Sequence, residues 1–217
     1  MKEELTIQGL KEAAGDFADA GSSHDDPSLY GVTDGKAVGT YLEHKFLRYL
    51  RDRFDFEESS SAKGIDLPVL GVDMKTTSIR QPQSSCPFRS PEQKIYGLGY
   101  CLLVFVYDKT DDDRAWTGRL DIKHVVLVDR ERTADYQMTR GIRDILDNAG
   151  NEDDLVAFMR DKLLPVDDIQ ASRIAQELLR RRPEQGYLAI SNALQWRLQY
   201  RRVIELAGSV EGVHRVR

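Results

Sequence analysis

Three charged side chains crowd a short apolar stretch of this sequence. In GIDLPVLGVDMKTT, residues 64–77, Asp66 stands seven positions before Asp73, and Lys75 follows two further on. Folding alone gives no reason to place two carboxylates and an ammonium in a segment this hydrophobic. Side chains alternate across a strand, so Asp73 and Lys75 project from one face. A preceding strand closed by a tight turn brings Asp66 opposite them. Two carboxylates that converge on one point repel, and each makes the other harder to ionise. A divalent cation between them removes that cost. Mg²⁺ suits the task, because it takes one or two protein carboxylates and fills its remaining positions with water and phosphate oxygens. A lysine of ordinary pKa is neutral in only about one molecule in 2,500 at pH 7. Free water has a pKa of about 15.7, which metal coordination lowers by many units. The metal therefore does most of the activating. Lys75 is left to position the water, to stabilise charge on the phosphate, or to accept a proton if its own pKa is depressed. The combination points to metal-assisted hydrolysis of a phosphodiester.

The elements that must hold these residues are legible around them. Thr33 or Asp34 offers an N-cap, and a helix follows from Lys36 to about Phe54. In it Val38, Leu42, Phe46, Tyr49, Leu50 and Phe54 recur at three- and four-residue spacing, so one face is apolar. Glu43 borders that stripe and points to the margin of the core. After the polar FEESSSAKG, two short strands are expected, Ile65–Val69 and Val72–Ser78, around Pro68 and Gly71. Thr77–Pro91 holds three prolines and reads as an irregular loop, with a helical turn over Pro91–Tyr96. YCLLVFVY, residues 100–107, is a buried strand, and HVVLV, residues 124–128, another. Helices are expected over Tyr136–Asn148, Asp153–Leu164, Asp168–Arg182 and Leu188–Ala207, and a short one near the start of the chain. This order predicts a mixed sheet with helices packed on it, an α/β or α+β domain.

Asp-x-Lys alone is common on surface hairpins. The spaced second acid and the helical glutamate before it give this pattern its weight. It resembles the PD-(D/E)XK nuclease superfamily. More closely, KAVGTYLEHKF and GIDLPVLGVDMKTT resemble the blocks of the MutH mismatch-repair nickase and its relatives among GATC-cutting restriction enzymes, over about forty residues from Lys36 to Thr77. That resemblance implies a restriction-endonuclease-like fold. It also implies that Asp66 and Asp73 are metal ligands, that the Met74 backbone carbonyl adds a third, that Lys75 is the catalytic lysine, and that Glu43 supports the site from its helix. Here the second acid is Asp where Glu is commoner.

Nucleic acid as the partner suggests where to look for contacts. TTSIRQPQSSCPFRS follows the catalytic strand directly and offers Arg80, Gln81, Gln83 and Ser84. Arg and Gln are the side chains that read guanine and adenine in the major groove through paired hydrogen bonds. The net charge of −5 is unevenly spread: from Gln170 to Arg217 nine arginines face four glutamates, +5, which leaves −10 on the first 169 residues. A basic tail on an acidic chain suits an anionic partner. Arg197 and Arg201, on one face of the expected last helix, are its candidate phosphate contacts. The expected division is a nuclease core over 1–167 and a basic helical portion over 168–217 that also contacts DNA.

Other classes find little support. Two cysteines and no CxxC argue against a disulfide framework, and four histidines far apart in sequence argue against zinc. The longest uncharged apolar run, Ile95–Tyr107, is thirteen residues, against roughly 20 for a membrane span. With a charged start and no apolar leader, the expected location is the cytoplasm. The expectation is a Mg²⁺-dependent, sequence-specific endonuclease of type II restriction enzymes, acting on double-stranded DNA as a homodimer. A MutH-like strand-specific nickase and a DNA-binding module with an inactive acidic hairpin are the alternatives.

Overall fold

Asp73 and Lys75 lie on the strand that makes the central sheet mixed. In the structure, a computed structural model describing residues 2–57, 64–86, 89–191 and 196–217, strand β1 (Val72–Ser78) runs parallel to β2 (Cys101–Asp112). Strand β2 returns antiparallel as β3 (Thr117–Val128), and the short β4 (Val213–Arg215) pairs antiparallel with β3. The sheet order is therefore β4-β3-β2-β1, with β1 last.

The chain divides into two units, one of residues 1–84, 101–128 and 206–217, the other of 85–100 and 129–205. In the first, two helices pack on the sheet. Helix α1 (Ile7–Gly21) starts at Thr6, whose hydroxyl accepts from the Gly9 amide at 3.0 Å. Helix α2 (Gly35–Arg53) starts at Asp34, whose carboxylate accepts from the Lys36 and Ala37 amides. These bonds satisfy amides that have no partner within their helices. Phe17 of α1, Phe46 of α2 and Phe105 of β2 meet with ring centroids 5.0–6.0 Å apart. Each such ring, fully buried, contributes about 1.5–3 kcal/mol, so this trio fastens both helices to the sheet. Met74 and Val72 of β1 join the same core.

The second unit is built on helices Tyr136–Asp147, Glu152–Asp161 and Asp168–Arg180. Ile95, Met138, Ile142, Leu155, Met159 and Ile174 form its core. Asp135, Asn151 and Asp167 cap the three helices, Asn151 in a reciprocal capping box with Asp154. Among the described residues, no helix is long and apolar enough to cross a membrane.

Most expected elements are present, the strands expected at 100–107 and 124–128 being longer, Cys101–Asp112 and Thr117–Val128; four others differ. The short N-terminal helix is α1, fifteen residues long. The strand expected at Ile65–Val69 is one antiparallel bridge, Leu67 to Val72, because Pro68 has no amide to continue a ladder and Gly71, at φ +63°, already turns the chain. The expected loop 77–91 contains a strand, Gln83–Cys86. The helix expected over Leu188–Ala207 is instead a pair of antiparallel strands, Ala189–Ile190 and Trp196–Gln199, followed by a short helix, Arg201–Leu206. Trp196, Leu198 and Tyr200 are buried while Arg197 and Gln199 are exposed, a two-residue period that outweighs the three- and four-residue spacing. Leu194 and Gln195 of that expected helix, and residues 58–63 of the polar loop, lie outside the described residues.

Candidate active site

The backbone of β1 fixes the site before any side chain is considered. Gly71 and Ile79 bond to β2 through Cys101 and Tyr107, at 2.8 Å each. Residues alternate, so 71, 73, 75, 77 and 79 turn their backbone groups toward β2. Val72 turns the other way and exchanges both its hydrogen bonds with Leu67, at 2.9 and 3.1 Å. Met74 therefore also faces outward. Its amide donates to the Asp66 carboxylate at 2.7 Å. Within a strand the amide and carbonyl of one residue point the same way, so the Met74 carbonyl looks out along the edge where Asp66 stands.

Asp73 and Lys75 share one side of β1, opposite the side on which Met74 enters the core. The Lys75 ammonium lies 2.7 Å from Asp73 Oδ2. Burial pushes the Asp73 carboxyl up to about 6; Lys75 pulls against that, and Asp66 adds to it by repulsion and by a hydrogen bond. Glu43 of α2 is pushed up to about 7, by burial first and then by Asp66, with Lys75 opposing and Asp73 adding a little. Burial works against the Lys75 charge, but Asp73, Asp66 and Glu43 together outweigh it and raise its pKa. Two of the three roles open to Lys75 are those of a cation, and its raised pKa favours those two.

Asp121 and Lys123 of β3 are a useful contrast. They have the same spacing and also form an ion pair, yet both side chains are about 40% exposed, at 39% and 42%. Asp73 and Lys75 are 8% and 22% exposed. Gathering one buried and two half-buried carboxylates around one lysine leaves an excess of negative charge, which a divalent cation would neutralise. Among the described residues, no group of three or more His, Cys, Asp or Glu side chains is arranged to hold a metal ion. Two carboxylates and an outward carbonyl, all hard oxygen donors, are nevertheless the sparse set that suits Mg²⁺ with its waters.

The segment after β1 leaves this edge as a short loop. Arg80 and Gln81 are exposed, and Gln83 and Ser84 are half-buried at the start of strand Gln83–Cys86. Arg80 Nε lies 3.4 Å from Asp108 Oδ1 of β2. Thr77, next after Lys75 on the same side of β1, is buried, and its hydroxyl meets the loop backbone at Gln81 and Gln83. The sequence reading passed over it, although continuing the alternation from Asp73 and Lys75 reaches it directly.

Arg197 and Arg201 belong to the other unit. They do not share a helix face: Arg197 is on a strand, its amide donating to Ser191 Oγ at 2.9 Å, and Arg201 opens the helix that follows. Both are exposed.

Comparison with known proteins covers nearly the whole chain. Residues 4–215 match the family described as Type II restriction enzyme NspV. The Type II restriction enzyme NspV of a Nostoc species is 61% identical over 209 residues, which span 96% of this chain and 95% of that protein. No solved structure matches the chain.

Proposed function

Because the chain belongs to the NspV family of type II restriction enzymes, we propose that Asp66, Asp73 and Lys75 form the centre at which it hydrolyses double-stranded DNA. The observation that carries this is the pair of carboxylates at the outer edge of β1, Asp73 buried and Asp66 half-buried, with one lysine as their countercharge. That arrangement supports membership of the PD-(D/E)XK superfamily, to which the spacing already pointed. The full-length likeness to a restriction enzyme favours cleavage of both strands over MutH-like nicking.

Asp66 and Asp73 would hold Mg²⁺, with the Met74 carbonyl as a third oxygen donor. When bound, the ion supplies Lewis-acid activation of water and neutralises charge on the phosphate. The residues do the rest. Asp66 is oriented by the Met74 amide, which engages one of its two oxygens at the edge of β1. Lys75, fixed two residues after Asp73, directs an ammonium at the attacked phosphate or at the water beside it, where charge develops in the transition state. Glu43 closes the site from α2 and keeps the local charge negative enough to favour a cation. Arg80, Gln81, Gln83 and Ser84 supply base or phosphate contacts beside the centre, and Arg197 and Arg201 supply phosphate contacts from the other unit.

Plasmid cleavage in Mg²⁺ tests the assignment. Asp73→Ala and Lys75→Ala should abolish cleavage and leave DNA binding in Ca²⁺ largely intact. Cleavage at the wild-type rate by Lys75→Ala would remove the site from contention.

A further inference from the structure

Thr77 is 4% exposed, two residues beyond Lys75, and its hydroxyl joins the catalytic strand to the loop that follows. The hydroxyl oxygen accepts from the Gln83 amide at 2.9 Å. Its proton is directed at two carbonyl oxygens, of Gln83 at 3.1 Å and Gln81 at 3.3 Å. The Gln83 amide also lies 2.8 Å from the Gln81 carbonyl, and the Arg80 amide 3.3 Å from Ser78 Oγ. One buried side chain therefore gathers backbone groups from the far side of the loop and ties them to β1. The exposed side chains of the loop are those of Arg80, which lies 3.4 Å from Asp108, and Gln81.

We propose that Thr77 is a positioning residue for sequence discrimination, holding the Arg80–Gln83 loop in fixed register with Lys75. This rests on the reading of Asp66, Asp73 and Lys75 as the catalytic centre and of the loop as a DNA contact. Paired hydrogen bonds to a base edge tolerate little displacement. Lys75 and Thr77 are separated by about 7 Å along one strand, so a loop pinned at Thr77 has a set position relative to the scissile phosphate. A loop freed from that pin still reaches DNA but reads it less strictly. Water cannot replace the hydroxyl at so buried a position.

The test uses the full chain in Mg²⁺, with duplexes carrying the site mapped by sequencing the ends of digested plasmid and its single-base-pair variants. The quantity read is the ratio of single-turnover cleavage rates at the mapped site and at each variant. Thr77→Val, which keeps the shape and removes the hydroxyl, should lower that ratio by about tenfold or more, and Thr77→Ser should retain it. A Thr77→Val protein that slows equally on every duplex, with the ratio unchanged, would make Thr77 merely structural and overturn the proposal. So would a Thr77→Ser protein as unselective as the valine variant. A measurement without any variant guards against misfolding: in the wild type the Gln83 amide should exchange with solvent as slowly as the amides of β1, and exchange at an open-loop rate refutes the clamp. The underlying readings fail differently. Cleavage by Asp73→Ala would overturn the catalytic assignment, and unchanged ratios in both Arg80→Ala and Gln81→Ala would overturn the loop's role. If those variants behave as expected and Thr77→Val keeps its selectivity, the clamp alone is wrong.

Discussion

The Asp66 carboxylate accepts a hydrogen bond from the backbone amide of Met74, 2.7 Å away at the outer edge of β1. Without Asp66 that amide has no strand to pair with, since Val72 already consumes Leu67 and β1 ends the sheet. On the proposed reading one residue serves the fold and the chemistry together, and the two roles separate by substitution. Asp66→Asn keeps an acceptor for the Met74 amide and should unfold within about 1 kcal/mol of the wild type. Asp66→Ala leaves the amide unpaired and should cost about 1–3 kcal/mol. Both should lose Mg²⁺-dependent cleavage. Urea unfolding beside a plasmid assay reads the two effects. Equal stabilities for the two variants would deny Asp66 its part in holding the strand.

The carboxyls of Asp73 and Glu43 predict how the metal-free protein responds to pH. Their pKa values rise from 3.8 and 4.5 to about 6 and about 7 on folding. Between the ordinary and the raised values the folded chain holds protons that the unfolded chain has lost, so stability falls as pH rises. The fall is complete only above about 7. In EDTA, the wild type should therefore lose stability relative to Glu43→Gln/Asp73→Asn between pH 5 and pH 8. Added Mg²⁺ should raise the melting temperature of the wild type more at pH 8 than at pH 5, because the ion binds the ionised carboxylates. A difference between wild type and variant that is constant across this window would contradict the burial of these two groups.

How much of this was legible beforehand depended on whether a local signal competed with a tertiary one. Helix α2 was plain because its apolar stripe and its Asp34 cap agree, and β1 because alternation and flanking turn residues agree. Asp73 and Lys75 share a side of β1 as alternation requires, whereas Asp66 stands near them through the bridge at Leu67 and not through the strand expected before it. The segment 188–207 misled because Leu194 and Leu198 are compatible with a helix, while the burial of Trp196, Leu198 and Tyr200 depends on neighbours remote in sequence. Thr77 was hidden for another reason: a threonine in a strand is ordinary, and only the return of the chain to Gln83 gives its hydroxyl a task.

Salt dependence reports on Arg197 and Arg201. Each phosphate neutralised contributes about −0.9 to the slope of log K against log salt concentration. The two arginines lie on different elements, a strand and a helix start, so they should act independently. Replacing either by Ala should flatten the slope by about 0.9, and replacing both by about 1.8, with the cut sequence unchanged. A slope that does not move returns both arginines to the solvated surface.

One proposed catalytic set per chain bears on how both strands are cut. The sequence contains one D-x6-D-x-K pattern, at Asp66, Asp73 and Lys75, and one such centre hydrolyses one phosphodiester at a time. Two strands of a palindromic site are related by a two-fold axis, and a symmetric dimer places one centre on each. We therefore expect a homodimer of twice 24.7 kDa that converts supercoiled plasmid to linear DNA within one binding event. A monomer reaches the same product only by nicking, releasing and returning, so open circles would accumulate first. Solution mass and an early time course distinguish these routes. A variant pairing sharpens the test: mixing wild type with Lys75→Ala should give heterodimers that nick and stop. If the mixture instead yields only linear and uncut plasmid, the two strands are not divided between two centres, and the dimer expectation fails.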